Sequence, residues 1–250
     1  MRCFLAAVQF LTVFPMRFRA SEGELGRSVR YFPLVGILIG LAVAGLDYGM
    51  HFIFAPLPAS VTAVIALIGA SGGLHMDGLA DTADGFFSSR PRERILEIMK
   101  DSRIGAMGVI AIVLVILLKL TALSSAPAGL RFAVLVLMPL AGRTALAIHL
   151  AVLPYARPEG GLGTVFLQNR SRIDAVFAVA ILGVSGWIVA GMAGLIAGGV
   201  SVAGTLIFSI WCRRKIGGFT GDTLGAACEI AELAPALVGA AWLCTKGGAC

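Results

Sequence analysis

Three aspartates, Asp77, Asp81 and Asp84, follow a long apolar run at relative positions 0, 4 and 7. At about 3.6 residues per turn they subtend roughly 60° of one helix face. Like charges that close repel one another, so a cation belongs among them. Ligation by oxygen alone suits Mg²⁺ or Mn²⁺, and Mg²⁺ is usually held by few carboxylates together with substrate phosphates. The spacing does not fit an EF-hand, whose ligands alternate at every second residue. A solvated helix end would also carry three acids. Gly78 and Gly85 argue otherwise, because glycine is a poor helix former kept where a backbone approaches something closely. The expected chemistry is phosphoryl transfer at a divalent metal.

Other polar groups fall into two kinds. Asp222 follows the run Gly217-Gly218-Phe219-Thr220-Gly221 and opens the last apolar segment. It reads either as an N-cap or as a ligand, and a glycine-rich turn before a helix offers N–H groups to phosphate oxygens. His75, two residues before Asp77, would serve as a general base, as a phosphate donor, or merely as an interfacial polar residue. Arg103 follows Asp101 at the start of another apolar run, where its fork suits phosphate. Arg143 lies inside an apolar segment, where an unpaired arginine costs roughly a few kcal/mol. It must snorkel or meet a phosphate or a carboxylate, with Glu229 and Glu232 among the choices. Asp47, His51 and His149 are read as structural or are left unexplained.

The elements that hold these residues are membrane helices. Hydrophobic residues make up 58% and charged residues 14%, with a mean hydropathy of +0.92, which excludes an ordinary soluble domain. Spans of about 20 residues are expected at 31–54, 59–76, 104–123 and 130–153, with the last at 223–243. The stretch 175–208 is too long for one helix and is split near 191–194. Residues 1–16 are too short to span and are expected to lie at the interface, while 88–103 suggests a short amphipathic surface helix. The expectation is an all-α, polytopic helical bundle forming a single domain over 1–250, with about seven transmembrane helices plus an N-terminal interfacial helix.

Arg and Lys concentrate in 17–30, 90–103, 157–172 and 213–215, and the alternate connections hold none. The positive-inside tendency then places these loops and the Asp stripe in the cytoplasm. This also accounts for the net charge of +6 without nucleic acid. The five cysteines show no zinc spacing, and the N-terminus shows no cleavage site of a removable signal peptide. The small-residue stretch 191–199 suits either internal packing or a homo-oligomer.

The run His75-Met76-Asp77-Gly78-Leu79-Ala80-Asp81-Thr82-Ala83-Asp84-Gly85 closely resembles the signature of the bacterial cobalamin synthase (adenosylcobinamide-GDP ribazoletransferase) family. The resemblance continues through Phe10-Leu11-Thr12-Val13-Phe14-Pro15, Tyr31-Phe32-Pro33-Leu34-Val35-Gly36, Met99-Lys100-Asp101-Ser102-Arg103-Ile104-Gly105, Gly142-Arg143 and Gly218-Phe219-Thr220-Gly221-Asp222. It implies a Mg²⁺-dependent transferase of the bacterial inner membrane with its site facing the cytoplasm. Such an enzyme joins adenosylcobinamide-GDP to α-ribazole or its 5′-phosphate and releases GMP. The pattern is also similar to that of the CDP-alcohol phosphotransferases, although Asp81 falls where their Asp-Gly-x-x-Ala-Arg motif would run on.

With that resemblance, Asp77, Asp81 and Asp84 are assigned to the metal, with Asp222 as a fourth candidate. His75, Asp81 or Asp84 would take the hydroxyl proton. Arg103, Arg143, Gly218, Thr220 and Gly221 would contact phosphate. Two rivals stand beside this reading. One is a lipid head-group phosphotransferase, and the other is a cation-coupled transporter. The latter is disfavoured by acids at a helix end and by the lack of a repeat.

Overall fold

In lipid every backbone N–H and C=O needs an internal partner, so apolar runs of this length become helices. The computed structural model describes residues 1–16, 18–157, 162–168 and 171–245. Its helices are α1 (Arg2–Leu11), α2 (Glu22–Gly26), α3 (Phe32–Met50), α4 (Pro56–Ala70), α5 (Leu74–Phe86), α6 (Arg92–Ile98), α7 (Ala106–Ser125), α8 (Ala128–Val152), α9 (Leu162–Gln168), α10 (Arg172–Ala190), α11 (Met192–Ile216) and α12 (Gly221–Thr245). A 3₁₀ turn, Arg27–Tyr31, joins α2 to α3. Among the described residues the only β feature is one parallel bridge, between Tyr155 and Phe219. Among the described residues six helices are long and apolar enough to cross a membrane, or seven when the bent pair α4–α5 counts as one crossing. The expected polytopic helical bundle is therefore the fold.

The bundle is built around α8, whose apolar window is entirely buried in protein and which packs against α3, α10, α11 and α12. The outer faces of α7, α10 and α11 expose residues such as Leu114, Ile188 and Ile207, as lipid-facing surfaces do. At ten residues α1 reaches only about 15 Å, half of a bilayer core of about 30 Å. It buries Ala6, Ala7 and Leu11 against the bundle.

The span expected over 59–76 is not one helix. It breaks after Ala70, and α5 leaves at 86° to α4. The break is a Schellman ending, with Gly72 N–H donating to Gly69 O and Gly73 N–H to Ile68 O, both at 3.0 Å. Gly72 and Gly73 have φ of +62° and +78°, which an L side chain rarely adopts. The Asp residues thus ride on their own short helix rather than on the end of a span.

Candidate active site

Two glycines put α5 onto α12. A Cβ on Gly78 would lie 2.6 Å from the Asp222 carbonyl oxygen, and one on Gly225 would lie 2.9 Å from that of His75. The two backbones are therefore in direct contact, and Asp77 and Asp81 of α5 stand beside Asp222 at the start of α12. Asp81 is half-buried and feels Asp222, Asp77 and Asp84 as like charges, with Arg157 the countering cation.

The start of α12 is fixed from both sides. Thr220 N–H donates to Thr223 Oγ1 (2.9 Å), Thr223 N–H donates to Thr220 Oγ1 (3.3 Å), and the Thr220 hydroxyl donates to Asp222 Oδ2 (3.2 Å). His149, fully buried, is hydrogen-bonded through Nδ1 to Ser209 Oγ at 2.8 Å and through Nε2 to Thr223 Oγ1 at 3.3 Å. Upstream, Phe219 N–H donates to Pro154 O (2.8 Å) and Ala156 N–H donates to Phe219 O (2.9 Å). Arg92 staples the same junction, donating from Nε to Ile216 O and from Nη2 to Ala156 O. This frame delivers Arg157, whose Nη2 donates to Asp222 Oδ2 at 2.7 Å.

Asp84 has another occupation. Its Oδ2 accepts from Gly105 N–H (2.7 Å) and its Oδ1 from Gly108 N–H (2.9 Å), so it caps the free N–H groups that open α7. Gly218 was expected at phosphate, but a Cβ there would collide with the Pro154 carbonyl, so its smallness serves the backbone bridge. Thr220 is fully buried, with its hydroxyl on Asp222. Gly221 does line the cleft.

That cleft is lined by His75 and Asp77 of α5 and by Gly221 and Asp222 of α12, together with Phe10, Phe32 and Phe166. Arg103 and Arg143 do not line it. Arg103 stands 87% exposed and pairs with Asp101 at 2.7 Å, because the two sit in one turn. Its hydrogen bonds hold the Asp101 carboxyl down, to about 2. Arg143 is buried in the bundle and donates from Nη1 to Glu232 Oε1 at 2.5 Å. Lys119, wholly buried on α7, donates to both Glu229 (2.7 Å) and Glu232 (2.6 Å). Two cations and two carboxylates thus neutralise one another in the core, as burial demands. Cys228 links this group to the cleft, with Sγ 3.7 Å from Glu232 Oε1 and 3.5 Å from His75 Nδ1.

Sequence reasoning missed Lys119, although a lone lysine inside an apolar span was a signal. It missed Arg157 as well, for which being basic was the only cue.

Among the described residues no three or more His, Cys, Asp or Glu side chains converge as a closed metal cage. Asp77, Asp81 and Asp222 nevertheless offer hard oxygens from two touching helices, with Arg157 as the only side-chain cation bonded to any of them in the described residues. Such a donor set fits an ion that completes its shell with substrate phosphate and water, as Mg²⁺ does.

Fold and site together define a multi-pass helical membrane protein with a carboxylate-lined cleft at one end of the bundle. Residues 3–240 match the family model described as cobalamin-5-phosphate synthase. The chain is 42% identical to an adenosylcobinamide-GDP ribazoletransferase of Desulforamulus reducens, over 90% of this chain and 91% of the relative. It is 37% identical to one of Brevibacillus brevis, over 97% of this chain and all of the relative. It belongs to the cobalamin-5-phosphate synthase family and, as a member, is a transferase. No solved structure matches the chain.

Proposed function

We propose that this protein transfers the cobinamide phosphate of adenosylcobinamide-GDP to a hydroxyl of α-ribazole or its 5′-phosphate. The products are adenosylcobalamin or its phosphate, and GMP. The observation that carries the reading is the Gly78–Gly225 contact, which sets Asp77 and Asp81 against Asp222 beside a cleft. The relatives' names supply the substrate class. The cytoplasmic face of the inner membrane is the side we assign to the cleft, from the basic loops that surround it.

In the reaction one O–P bond forms from the ribazole hydroxyl to the phosphorus bearing cobinamide, and the bond from that phosphorus to the GMP oxygen breaks. Asp77, Asp81 and Asp222 would hold a Mg²⁺ ion, with Mn²⁺ an alternative of similar preference. When bound, the ion neutralises the charge that builds on the phosphoryl and leaving oxygens. Arg157, fixed to Asp222, sets that carboxylate's orientation and adds positive charge at the cleft rim. The hydroxyl proton would pass to a base facing the cleft, for which His75, which lines it, is our candidate. Asp84 and Arg143 serve structure: one caps α7 and the other balances Glu232.

Purified enzyme in detergent, given adenosylcobinamide-GDP and α-ribazole 5′-phosphate, should release GMP only with Mg²⁺ or Mn²⁺ present. Asp81→Asn should abolish release while remaining folded. Silence from well-folded wild type would overturn the reading and turn attention to CDP-alcohol substrates.

A further inference from the structure

The cleft's lining is divided by element. Its acidic and imidazole side chains come from α5 and α12, whereas α1, α3 and α9 contribute aromatic rings. Phe10 of α1 stacks on Phe32 of α3, with centroids 5.9 Å apart and planes at 19°. Phe166 of α9 lies 5.1 Å from Phe10 and 6.2 Å from Phe32. Phe32 and Phe166 are buried, and Phe10 is the most open of the three. Phe166 lies more than a hundred residues along the chain from the other two rings, so this wall exists only in the folded bundle.

A ligand that fills such a cleft must be polar at one end and flat and apolar at the other. We propose that Phe10, Phe32 and Phe166 form the seat of the acceptor's heteroaromatic base, the dimethylbenzimidazole of ribazole. The inference rests on the transferase reading above and assigns the cleft to one of its two substrates. Guanine fits poorly, because its amine, carbonyl and ring N–H would be buried unpaired against phenyl rings. Benzimidazole carries methyl groups and no N–H once attached to its sugar. The cleft sets these rings on the same lining as Asp77 and Asp222, so a ligand with a flat apolar end and a phosphate end spans both. The corrin macrocycle then stays outside the cleft, and only its phosphate reaches the carboxylates.

The test uses the full-length enzyme and reads two things: steady-state GMP release with each substrate varied, and benzimidazole fluorescence during titration of α-ribazole 5′-phosphate alone. Phe10→Ala should raise KM for α-ribazole 5′-phosphate about tenfold, about 1.4 kcal/mol, and leave that for adenosylcobinamide-GDP within about twofold. Phe10→Tyr, which keeps the ring, should restore the wild-type value. If Phe10→Ala aggregates, Phe166→Leu poses the same question. A rise confined to the corrinoid nucleotide, or no change in either KM, overturns the seat. Ring-dependent fluorescence binding without GMP release by wild type would uphold the seat and refute the reaction. GMP release with ribazole binding indifferent to Phe10 and Phe166 would do the reverse.

Discussion

Four aspartates of similar appearance in the sequence differ in what already engages their oxygens, each of which has two lone pairs to give. Asp84 spends both oxygens on the N–H groups of Gly105 and Gly108. Asp222 gives Oδ2 to Arg157 and Thr220, while Asp77 and Asp81 form no ion pair among the described residues. Asp77→Asn and Asp81→Asn should therefore lower GMP release by about 100-fold or more with the melting temperature unchanged or raised, since repulsion is relieved. Asp84→Ala should instead cost about 1 kcal/mol of stability as a lost helix cap, visible as a lower Tm in detergent. The arginines separate likewise. Arg157→Ala frees Asp222 and should cut turnover at least about tenfold, as loss of a charge-assisted hydrogen bond does. Arg103→Ala should leave turnover within about twofold, because the Arg103–Asp101 pair is exposed and solvent-screened. The Asp101 carboxyl is depressed in the folded chain, so any stabilisation from the pair is present at neutral pH and is lost progressively as the pH falls below the ordinary carboxylate range and through about 2. The wild-type to Arg103→Ala activity ratio should accordingly stay flat between about pH 6 and pH 8.

At the scale of elements, the site depends on how closely two helices touch. Gly78→Ala drives a methyl into the Asp222 backbone, where neither helix has a flexible side chain to move aside. It should destabilise the protein by about 1–3 kcal/mol and part the carboxylates, so that thermal stability and turnover fall together. Gly45→Ala on α3 meets nothing within 4 Å and should leave turnover within error with thermal stability unchanged or slightly raised, which separates contact from helix propensity. Most helices were legible in the sequence because hydropathy reports directly which runs lipid accepts: α3, α7, α8, α10, α11 and α12 fall close to their expected places. The break between α4 and α5 was not, because Gly72 and Gly73 lie inside a run that stays apolar, and hydropathy is blind to a positive φ. Within the site, the Asp run and Asp222 could be picked out by charge and by the glycines beside them. Arg157 could not, since its contact with Asp222 is made by a bridge between residues 154–156 and 217–219 that no local pattern announces. Arg143 shows the partial case. Its need for a partner was plain, but choosing Glu232 over a phosphate required knowing which faces of α8 and α12 meet.

For the whole molecule, polarity sorts by depth. The neutral group of Lys119, Glu229, Glu232 and Arg143 lies in the bundle core, and a second buried pair, Arg131 with Asp47, lies where α3 ends and α8 begins. Neither is a net charge in lipid, so neither sets orientation. The exposed basic groups do, and those resolved around α2, α6 and the end of α11 cluster on the side of the Asp helix, while the turn from α7 to α8 carries none. Each lysine or arginine kept on the cytoplasmic side favours that orientation, so this end of the bundle, cleft included, should face the cytoplasm. The measurement is thiol labelling of single cysteines introduced into an otherwise cysteine-free chain. Ser102→Cys, exposed between α6 and α7, should react with a membrane-impermeant maleimide only after the cells are permeabilised. Ser125→Cys, exposed at the far end of α7, should react in intact cells. The reverse pattern would place the carboxylates outside, away from the nucleotide substrates of the cytoplasm, and the transferase would have to draw both from the other compartment.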